Sequence, residues 1–256
     1  MNLANHVAPD DIDPAQRSQT LRTLVGLRDL ILNGELSPGA RISELWVVER
    51  LGASRTPVRA SLIRLQEEGL LEAIPTGGFA VRSFGVDEIY DAIELRGTLE
   101  GFAARLAAER GVAPDTLGHL HRCVEEIDMT LNSDLSAERF SRYVTLNERF
   151  HLLLASASGS RIAQRQIEKI KSLPFASPSA YVGVQALSDD ARGLLLLAQA
   201  QHVAVVDALE HREGTRAESL MREHSRIAQR NLKLALLDQK SMSRIPGGGL
   251  IRHTSG

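Results

Sequence analysis

Three histidines in the second half of the chain have the type and spacing of metal ligands. Asn147 and His151 stand four residues apart in NERFH, so both side chains lie on one face of a predicted helix. His202 and His224 occupy two consecutive predicted helices, at similar distances from the turn at Gly214 that joins them. At a rise of about 1.5 Å per residue, these two imidazoles lie at similar heights and can converge. Three imidazoles and an amide oxygen can bind a borderline divalent metal such as zinc.

A single histidine in a helix is more often a hydrogen-bonded core residue or a surface residue than a ligand. We apply this simpler interpretation to the five other histidines, which are His6, His119, His121, His211 and His253. The same alternative stays open for the three clustered histidines, although a coincidence of three is less expected than an isolated one.

Arg96 is the candidate for contacting a small ligand. It lies on an apolar helix face near Leu99 and Glu100. An inward-facing arginine could clamp a carboxylate ligand, or it could form a structural ion pair with an acid on a neighbouring helix. The sequence favours neither alternative. Tyr143, one turn before Asn147, is a further candidate for lining an effector pocket.

A second group of informative residues is a run of arginines in the first half of the chain. No acid interrupts this run, whose members are Arg50, Arg55, Arg59 and Arg64. Arg55 and Arg59 are one helical turn apart and share a face. The planar guanidinium can bind a guanine edge or a phosphate through two hydrogen bonds, which indicates a DNA contact. A merely solvated charged face is the alternative.

The residues that position these arginines predict two short helices. Ser43 is a good N-cap for a helix over Glu44–Leu51, with Leu45, Val48 and Leu51 as its apolar side.

A second helix follows a tight turn at Gly52 and carries Pro57 in its first turn, where the missing N–H costs little. Its predicted buried stripe has helical spacing and consists of Val58, Leu62 and Leu65. Two extended runs come next, Leu70–Ile74 and Phe79–Phe84, joined by the turn sequence PTGG. Helix, turn, helix and hairpin predict a winged helix-turn-helix, whose second helix enters the DNA major groove.

The rest of the chain predicts a second, all-helical domain. We expect a disordered N-terminus at 1–13, a DNA-binding domain at 14–84, a helical effector-binding domain at 85–239 and a flexible tail at 240–256. Within the first domain, a helix spans Pro14–Asn33 and 35–42 forms a turn. The second domain has six predicted helices, namely Val86–Arg110, Pro114–Asn132, Ala137–Ser156, Arg161–Leu173, Leu187–Glu213 and Thr215–Gln239. Short connections between long helices indicate an antiparallel bundle, and the loop from Pro174 to Ala180 is a candidate cap for it.

Composition narrows the function classes. The chain has 256 residues, enough for two domains, and its 4% aromatic content favours helices. The net charge of −2 excludes a generic polyanion binder, whereas a specific DNA-binding protein needs only a local basic face. Cys123 is the only cysteine, and the first residues lack signal-peptide character, so we expect a cytoplasmic protein.

The stretch LGASRTPVRASLIRLQEEGLL resembles the signature of the GntR family of bacterial transcription regulators. This resemblance implies an N-terminal DNA-binding domain followed by a ligand-sensing domain. It assigns the DNA contacts to Arg55 and Arg59, and it brings Ser54, Thr56 and Gly78 close to the DNA backbone and minor groove. Two positions depart from the family pattern: Leu45 stands where arginine is common, and Ala60 stands where glutamate is common.

Three further stretches resemble the FCD domain of the FadR-type branch: ELRGTLEGFAARLAAE, NERFHLLLASASG and QHVAVVDALEHREGTRAESLMREH. The count of six helices is similar to the vanillate-repressor-like subgroup. In many relatives an aspartate and three histidines bind a metal that helps hold a small organic acid. The matching positions here are Asn147, His151, His202 and His224. Because the asparagine oxygen is neutral, we expect weaker metal binding than with aspartate.

The sequence therefore predicts a mainly α protein that acts as a ligand-responsive transcriptional repressor. We expect a homodimer on a palindromic operator, since two recognition helices must meet successive major grooves. The expected effector is a small carboxylic acid. A metal-dependent hydrolase or isomerase is the alternative, but the chain lacks HExxH, P-loop, GxSxG and GxGxxG motifs, and no carboxylate is evident beside the histidines. A DNA-bending protein would need a more basic chain.

Overall fold

Helices dominate the computed structural model, which describes residues 14–132, 136–173, 175–185, 191–237, 242–243 and 245–252. The chain divides into two units, Met1–Ser83 and Phe84–Gly256. The predicted disordered segment at 1–13 lies outside the described residues. Among the helices that the structure describes, none carries an apolar stretch long enough to cross a bilayer.

The first unit is a winged helix-turn-helix, which confirms the predicted fold class. Its elements are α1 (Pro14–Leu32), β1 (Arg41–Ile42), α2 (Glu44–Leu51), α3 (Arg55–Glu67), β2 (Leu71–Ala73) and β3 (Phe79–Val81). The strands form one antiparallel sheet in the order β1-β3-β2. The hairpin was expected, but the third strand was not, because the sequence predicted only a turn before α2. Ile42 is buried and pairs with Phe79, so the wing is joined to the chain that enters the two helices.

Local capping and periodicity explain the two short helices. The Ser43 hydroxyl accepts a hydrogen bond from the backbone N–H of Trp46 at 3.2 Å, which confirms Ser43 as the N-cap of α2. Gly52 ends α2 in the left-handed conformation, with φ of 61°, a backbone geometry that glycine adopts without steric cost. The predicted stripe of α3 is fully buried, as expected, and consists of Val58, Leu62 and Leu65.

The predicted apolar side of α2 is wrong. Val47 is the residue that α2 buries, whereas Leu45 is largely exposed and Val48 and Leu51 are half-buried. The sequence pattern misleads here because α2 has only eight residues, so a single buried position decides which face packs on α3. Leu45 is consequently available on the surface rather than part of the core.

The second unit is a helical bundle with one small parallel strand pair. Its elements are β4 (Phe84–Gly85), α4 (Val86–Arg110), α5 (Pro114–Leu131), α6 (Ala137–Ala157), α7 (Arg161–Lys171), α8 (Val182–Gln185), α9 (Ala191–Glu210), α10 (Gly214–Leu236) and β5 (Ile251–Arg252). The six long helices follow the predicted order. The short α8 was not predicted, and with it the described part of this unit has seven α-helices, besides one turn of 3-10 helix at Gly248–Leu250. The count of six that supported the vanillate-repressor-like resemblance is therefore wrong.

Helix α4 packs closely along α10 because two glycines lie at the contact. A side chain at Gly97 would clash with Ser225, and one at Gly101 would stand 3.0 Å from the backbone oxygen of Glu218. Because the two helices approach this closely, the side chains next to these glycines on α4 lie within the interior of the bundle. Arg96 and Glu100 are adjacent to these glycines and are buried on the same helix.

The C-terminal segment is folded where the structure describes it. Ile245, Leu250 and Ile251 are buried, and β5 pairs in parallel with β4, with Phe84 opposite Ile251. The expected flexible tail is therefore wrong for residues 245–252, which belong to the second unit. The sequence suggested mobility because GGG has turn composition, but the apolar residues around it have a surface on which to pack. Residues 253–256 lie outside the description.

Candidate functional site

Three buried histidines from three helices meet inside the second unit. His151 comes from α6, His202 from α9 and His224 from α10. Each offers one ring nitrogen, and these atoms all lie within 4.8 Å of one another. The Nε2 atoms of His202 and His224 are 3.2 Å apart. The structure thus brings together the three histidines that the sequence singled out.

A carboxylate fixes the tautomer of His151. The Nδ1 atom of His151 lies 3.0 Å from Oε1 of Glu100, and both side chains are buried. A carboxylate only accepts hydrogen bonds, so Nδ1 donates and carries the proton. In the neutral form of the ring the lone pair is then on Nε2, which is buried and has no hydrogen-bond partner among the described residues. An unpartnered buried acceptor is costly unless a cation or donor binds to it.

Two glutamines orient the other imidazoles in the same way. The Nδ1 atom of His202 lies 3.3 Å from Oε1 of Gln199, whose amide nitrogen donates to the Val124 carbonyl at 2.8 Å. This second bond fixes the amide so that its oxygen faces His202. The Nδ1 atom of His224 lies 3.1 Å from Oε1 of Gln201. Without a metal, one of the two facing Nε2 atoms donates to the other across 3.2 Å, whereas both are acceptors when each Nδ1 carries the proton.

The electrostatics of the cluster fit a divalent metal. Burial, and then the neighbouring imidazoles, hold the pKa values of His202 and His224 well below their usual range, so both rings are neutral. Neutral imidazole is the ligand form, and hydrogen bonds at Nδ1 that hold the ring are the usual support of such ligands. The three histidines, with the unsatisfied Nε2 of His151, therefore form a donor set that suits zinc or a similar ion.

Asn147 lies one turn before His151 and is also buried. Its amide nitrogen donates to the Ser179 hydroxyl at 3.0 Å, so this end of the side chain holds the loop that follows α7. The hydrogen bond directs the amide nitrogen toward the loop. Asn147 also lines the cavity described next, together with His224.

A small cavity adjoins the cluster and brings together both predicted effector residues, Arg96 and Tyr143. Its lining residues are Arg96, Tyr143, Asn147, Pro178, Tyr181, Val182, Ala198, His224, Ile227, Ala228 and Asn231. The cavity volume is about 20 Å³, room for about one water molecule. Three of the lining residues have a buried polar atom with no partner within the described chain: Arg96 at Nε, Tyr181 at its hydroxyl and Asn231 at Oδ1. A polar ligand would satisfy them.

Arg96 forms an ion pair on its own helix while lining the cavity. Its guanidinium donates to Oε2 of Glu100 at 2.7 Å, and both side chains are almost completely buried. The two alternatives from the sequence therefore do not exclude each other, and the ion-pair partner lies on α4 itself rather than on a neighbouring helix. Because Nε remains unpartnered, the guanidinium keeps a donor for a further acceptor.

Glu100 is the functional residue that the sequence reasoning missed. The expectation that no carboxylate lies beside the histidines is wrong, since Glu100 contacts both His151 and Arg96. Burial raises its pKa, but the charges of His151 and Arg96 oppose this and bring the pKa to about 2. The signal available in the sequence was the spacing of four residues between Arg96 and Glu100. Both carboxylate oxygens are engaged, one by His151 and the other by Arg96.

The loop between α7 and α8, named above as a candidate cap, is bound to α6 beside this region. Phe175 is buried and packs edge-on against Phe84, with ring centroids 5.1 Å apart. The Glu148 carboxylate accepts hydrogen bonds from the Ser177 hydroxyl at 2.6 Å and from the Ser179 backbone at 3.3 Å. Residues 175–181 are thus held in place from α6. Pro174, the first residue of the predicted cap, lies outside the described residues.

The arginines of the first unit are on the surface. Arg55 is exposed and forms no hydrogen bond or ion pair with any residue that the structure describes. Arg59 has a side chain that is 70% exposed and lies 3.8 Å from Glu44, a loose ion pair. Arg64 differs, because Glu68 binds it at 2.9 Å at the end of α3. Arg55 and Arg59 therefore offer free or nearly free guanidinium groups to a partner.

The other predicted DNA contacts are also accessible. Ser54 and Thr56 are exposed at the start of α3, and Gly78 is exposed in the wing. Gly78 has a φ of +87°, and a side chain there would stand 3.4 Å from the Ile42 carbonyl, so both conformation and space favour glycine. These residues and the two arginines lie on one winged helix-turn-helix unit.

Comparisons with known proteins agree with both units. A profile of the FCD domain matches residues 91–226, and a profile of bacterial regulatory proteins of the gntR family matches residues 22–81. The chain is 31% identical over 211 residues to an uncharacterised HTH-type transcriptional regulator in an unstable DNA locus of Streptomyces ambofaciens, covering 78% of this chain and 79% of that protein. It is 29% identical over 147 residues to the uncharacterised HTH-type regulator YdhC of Bacillus subtilis, covering 57% of this chain but only 64% of that protein.

A solved structure has a similar fold. The E. coli protein McbR/YncC superposes with a TM-score of 0.59 at 24% identity, covering 87% of this chain and 98% of that one. At this identity the likeness concerns the fold alone. It supports the arrangement of a winged helix-turn-helix followed by a helical unit.

Proposed function

Because the chain belongs to the GntR family of bacterial transcription regulators and its second unit is an FCD domain, we propose that it is a ligand-responsive repressor. It binds a palindromic operator as a homodimer, since two copies of α3 must meet successive major grooves of the duplex. It acts in the cytoplasm, where its target DNA is found. A small organic acid that enters the helical unit releases or modulates it.

The main support for DNA binding is the exposed surface of α3. Arg55 and Arg59 are exposed on the helix that follows the turn, and the buried stripe of the same helix holds it to the unit's core. Ser54, Thr56 and Gly78 are available to contact phosphates nearby. We assign direct contacts to Arg55 and Arg59, and a supporting phosphate contact to Arg64, whose side chain remains 60% exposed beside its acid partners.

The sensing part rests on the donor set around the cavity. We propose that His151, His202 and His224 bind a divalent metal, with the amide oxygen of Asn147 as a further, neutral ligand. When bound, such an ion supplies a Lewis-acidic centre that attracts carboxylate oxygens. Arg96 and Tyr143 line the same cavity and would orient the acid through charge and hydrogen bonding.

The ligand must distinguish two states in order to regulate. The ligand can shift the DNA-binding equilibrium only by the difference between its binding free energies for the DNA-bound and DNA-free states of the protein. The cavity holds about one water molecule, so a bound acid has to displace lining side chains or the loop at 175–181. This displacement would provide the required difference between liganded and unliganded protein.

Operator binding tests the first part. Duplexes selected from a randomised library would define the operator, and Kd would then be measured at several salt concentrations. We expect Arg59→Ala to weaken binding by about 1–3 kcal/mol. Arg230→Ala, which removes the same charge from an exposed position on α10, serves as the control and should bind normally. Equal binding by the Arg59 variant and wild type would contradict the assignment of α3.

Metal analysis tests the second part. Purified protein would be dialysed against zinc, and bound metal would be quantified by mass spectrometry. We expect one ion per chain in wild type and loss of most of it in His202→Ala. His119→Ala is the matched control, because His119 is exposed on α5. Retention of metal by the His202 variant would remove the three histidines from the proposed function.

A further inference from the structure

We propose that Glu44 is a specificity-determining residue, which selects a G·C base pair together with Arg59 when α3 lies in the major groove. This inference rests on the proposed DNA binding and narrows it to one base pair in each half of the operator. It follows from a carboxylate that lies against an exposed arginine of α3, and from the chemistry of base edges.

Glu44 places a negative charge beside the arginines that are proposed to bind DNA. It lies in the first turn of α2, and its Oε1 atom is 3.8 Å from Nε of Arg59 on α3. The two side chains are 41% and 70% exposed, so a partner at the surface can reach both. Arg55 stands one turn before Arg59, and the sequence contains no acid from residue 50 to residue 66. The Glu44 carboxylate is therefore a negative charge at the edge of a basic surface.

A carboxylate at this position opposes binding to phosphates, because it repels the DNA backbone and reduces the positive charge that Arg59 offers. An acid in a first turn also stabilises its helix through the helix dipole, which is a structural reason for a glutamate there. That role requires only the first turn of α2 and no contact with Arg59. A base edge that donates a hydrogen bond to Glu44 would convert the electrostatic cost into specificity.

The edge of a G·C pair in the major groove matches the two side chains. Guanine presents two acceptors, N7 and O6, and its partner cytosine presents a donor, the N4 amino group. Because the contact with Glu44 involves Nε of Arg59, the two terminal nitrogens of the arginine remain available for N7 and O6. Glu44 can accept from cytosine N4 beside them. At an A·T pair, by contrast, the carboxylate would face thymine O4, and two acceptors repel each other.

Base substitution in the selected operator tests this assignment. Each G·C pair of the two half-sites would be replaced in turn by A·T, and Kd would be measured with the full chain at fixed salt. We expect wild type to prefer G·C by at least about tenfold at one position of each half-site, and Arg59→Ala to reduce this preference. Glu44→Ala should reduce the preference at the same position by at least about threefold and leave the other positions unchanged.

Binding to a duplex of unrelated sequence should change in the opposite direction. Glu44→Ala removes a negative charge from the surface that faces DNA, so it should bind this duplex about two- to threefold more tightly at low salt. Glu49→Ala removes the same charge from an exposed position later on α2 and should leave the base preference unchanged. Glu44→Gln keeps the side-chain length, but its amide can donate to thymine O4, so it should tolerate A·T better than wild type does.

The outcomes separate this inference from the proposed function. If Glu44→Ala melts early and weakens binding to all sequences equally, Glu44 has only a structural role and the inference is overturned. A Glu44 variant that keeps the full G·C preference, or loses it at a position that Arg59→Ala does not affect, overturns the inference while DNA binding by α3 stands. If wild type selects no operator, the DNA-binding half of the proposed function fails together with the inference.

Discussion

Arginine has opposite environments in the two units. Arg59 on α3 is mostly exposed and only loosely paired with Glu44 at 3.8 Å. Arg96 on α4 is almost completely buried and bound to Glu100 at 2.7 Å. The exposed group is free to bind a partner and contributes little to folding. The buried group is a structural element first, because its charge must be compensated before the unit can fold.

This contrast means that binding and folding depend on different side chains in the first unit, but on the same side chains in the second. On the surface of α3, the arginines proposed to contact DNA can be changed without disturbing the core. Around the histidines, the same side chains that would bind a ligand also satisfy one another. Substitutions of buried charges should therefore lower stability far more than substitutions of exposed ones.

Of the substitutions considered, Glu100→Ala should lower the free energy of unfolding the most. It leaves the Arg96 charge buried without a counter-ion and removes the acceptor of His151 Nδ1, so we expect the free energy of unfolding to fall by about 3–5 kcal/mol. Urea titration of the metal-free protein measures this. The double variant Arg96→Met with Glu100→Leu should recover part of the loss, because it removes both charges together. A single variant as stable as wild type would contradict the coupling.

Leu62→Ala should have the second-largest effect on stability. We expect the free energy of unfolding to fall by about 2–5 kcal/mol, because Leu62 is fully buried on the core-facing side of α3. The adjacent Ile63 has 41% of its surface exposed, and Ile63→Ala should change stability by less than about 0.5 kcal/mol. Thermal unfolding followed by circular dichroism compares the two. Equal effects would mean that the packed face of α3 has been misassigned.

Arg55→Ala should affect DNA binding without affecting folding. Arg55 has no partner among the described residues, so we expect an unchanged melting temperature and a loss of about 1–3 kcal/mol in operator affinity. If the contact is to a phosphate, the salt dependence of binding should also fall by about one ion. A variant that melts early would show that the side chain has a structural role.

Arg50→Ala should have the smallest effect. Arg50 and Glu35 form an ion pair at 3.0 Å, but both side chains are about half exposed, so solvent and salt screen it. We expect a change in unfolding free energy below about 1 kcal/mol, visible only at low salt. A loss as large as that of Glu100→Ala would abolish the distinction between exposed and buried charges.

The sequence by itself determined the features that depend on local order along the chain. The N-cap at Ser43, the buried stripe of α3 and the bounds of α4, α5 and α6 to within one residue follow from residue propensities and periodicity, which act within a few turns. The predicted ends of α9 and α10 were each three residues too late. The histidine positions could also be deduced, because equal distances from one turn place two side chains side by side.

Only the tertiary structure decided what surrounds those histidines. Glu100 is distant in sequence from His151, and nothing local reveals that α4 and α10 approach closely at Gly97 and Gly101. The same holds for the third strand of the wing and for the packing of residues 245–252. Each depends on pairing between segments far apart in the chain, and such pairing is chosen by the fit of whole surfaces rather than by neighbouring residues.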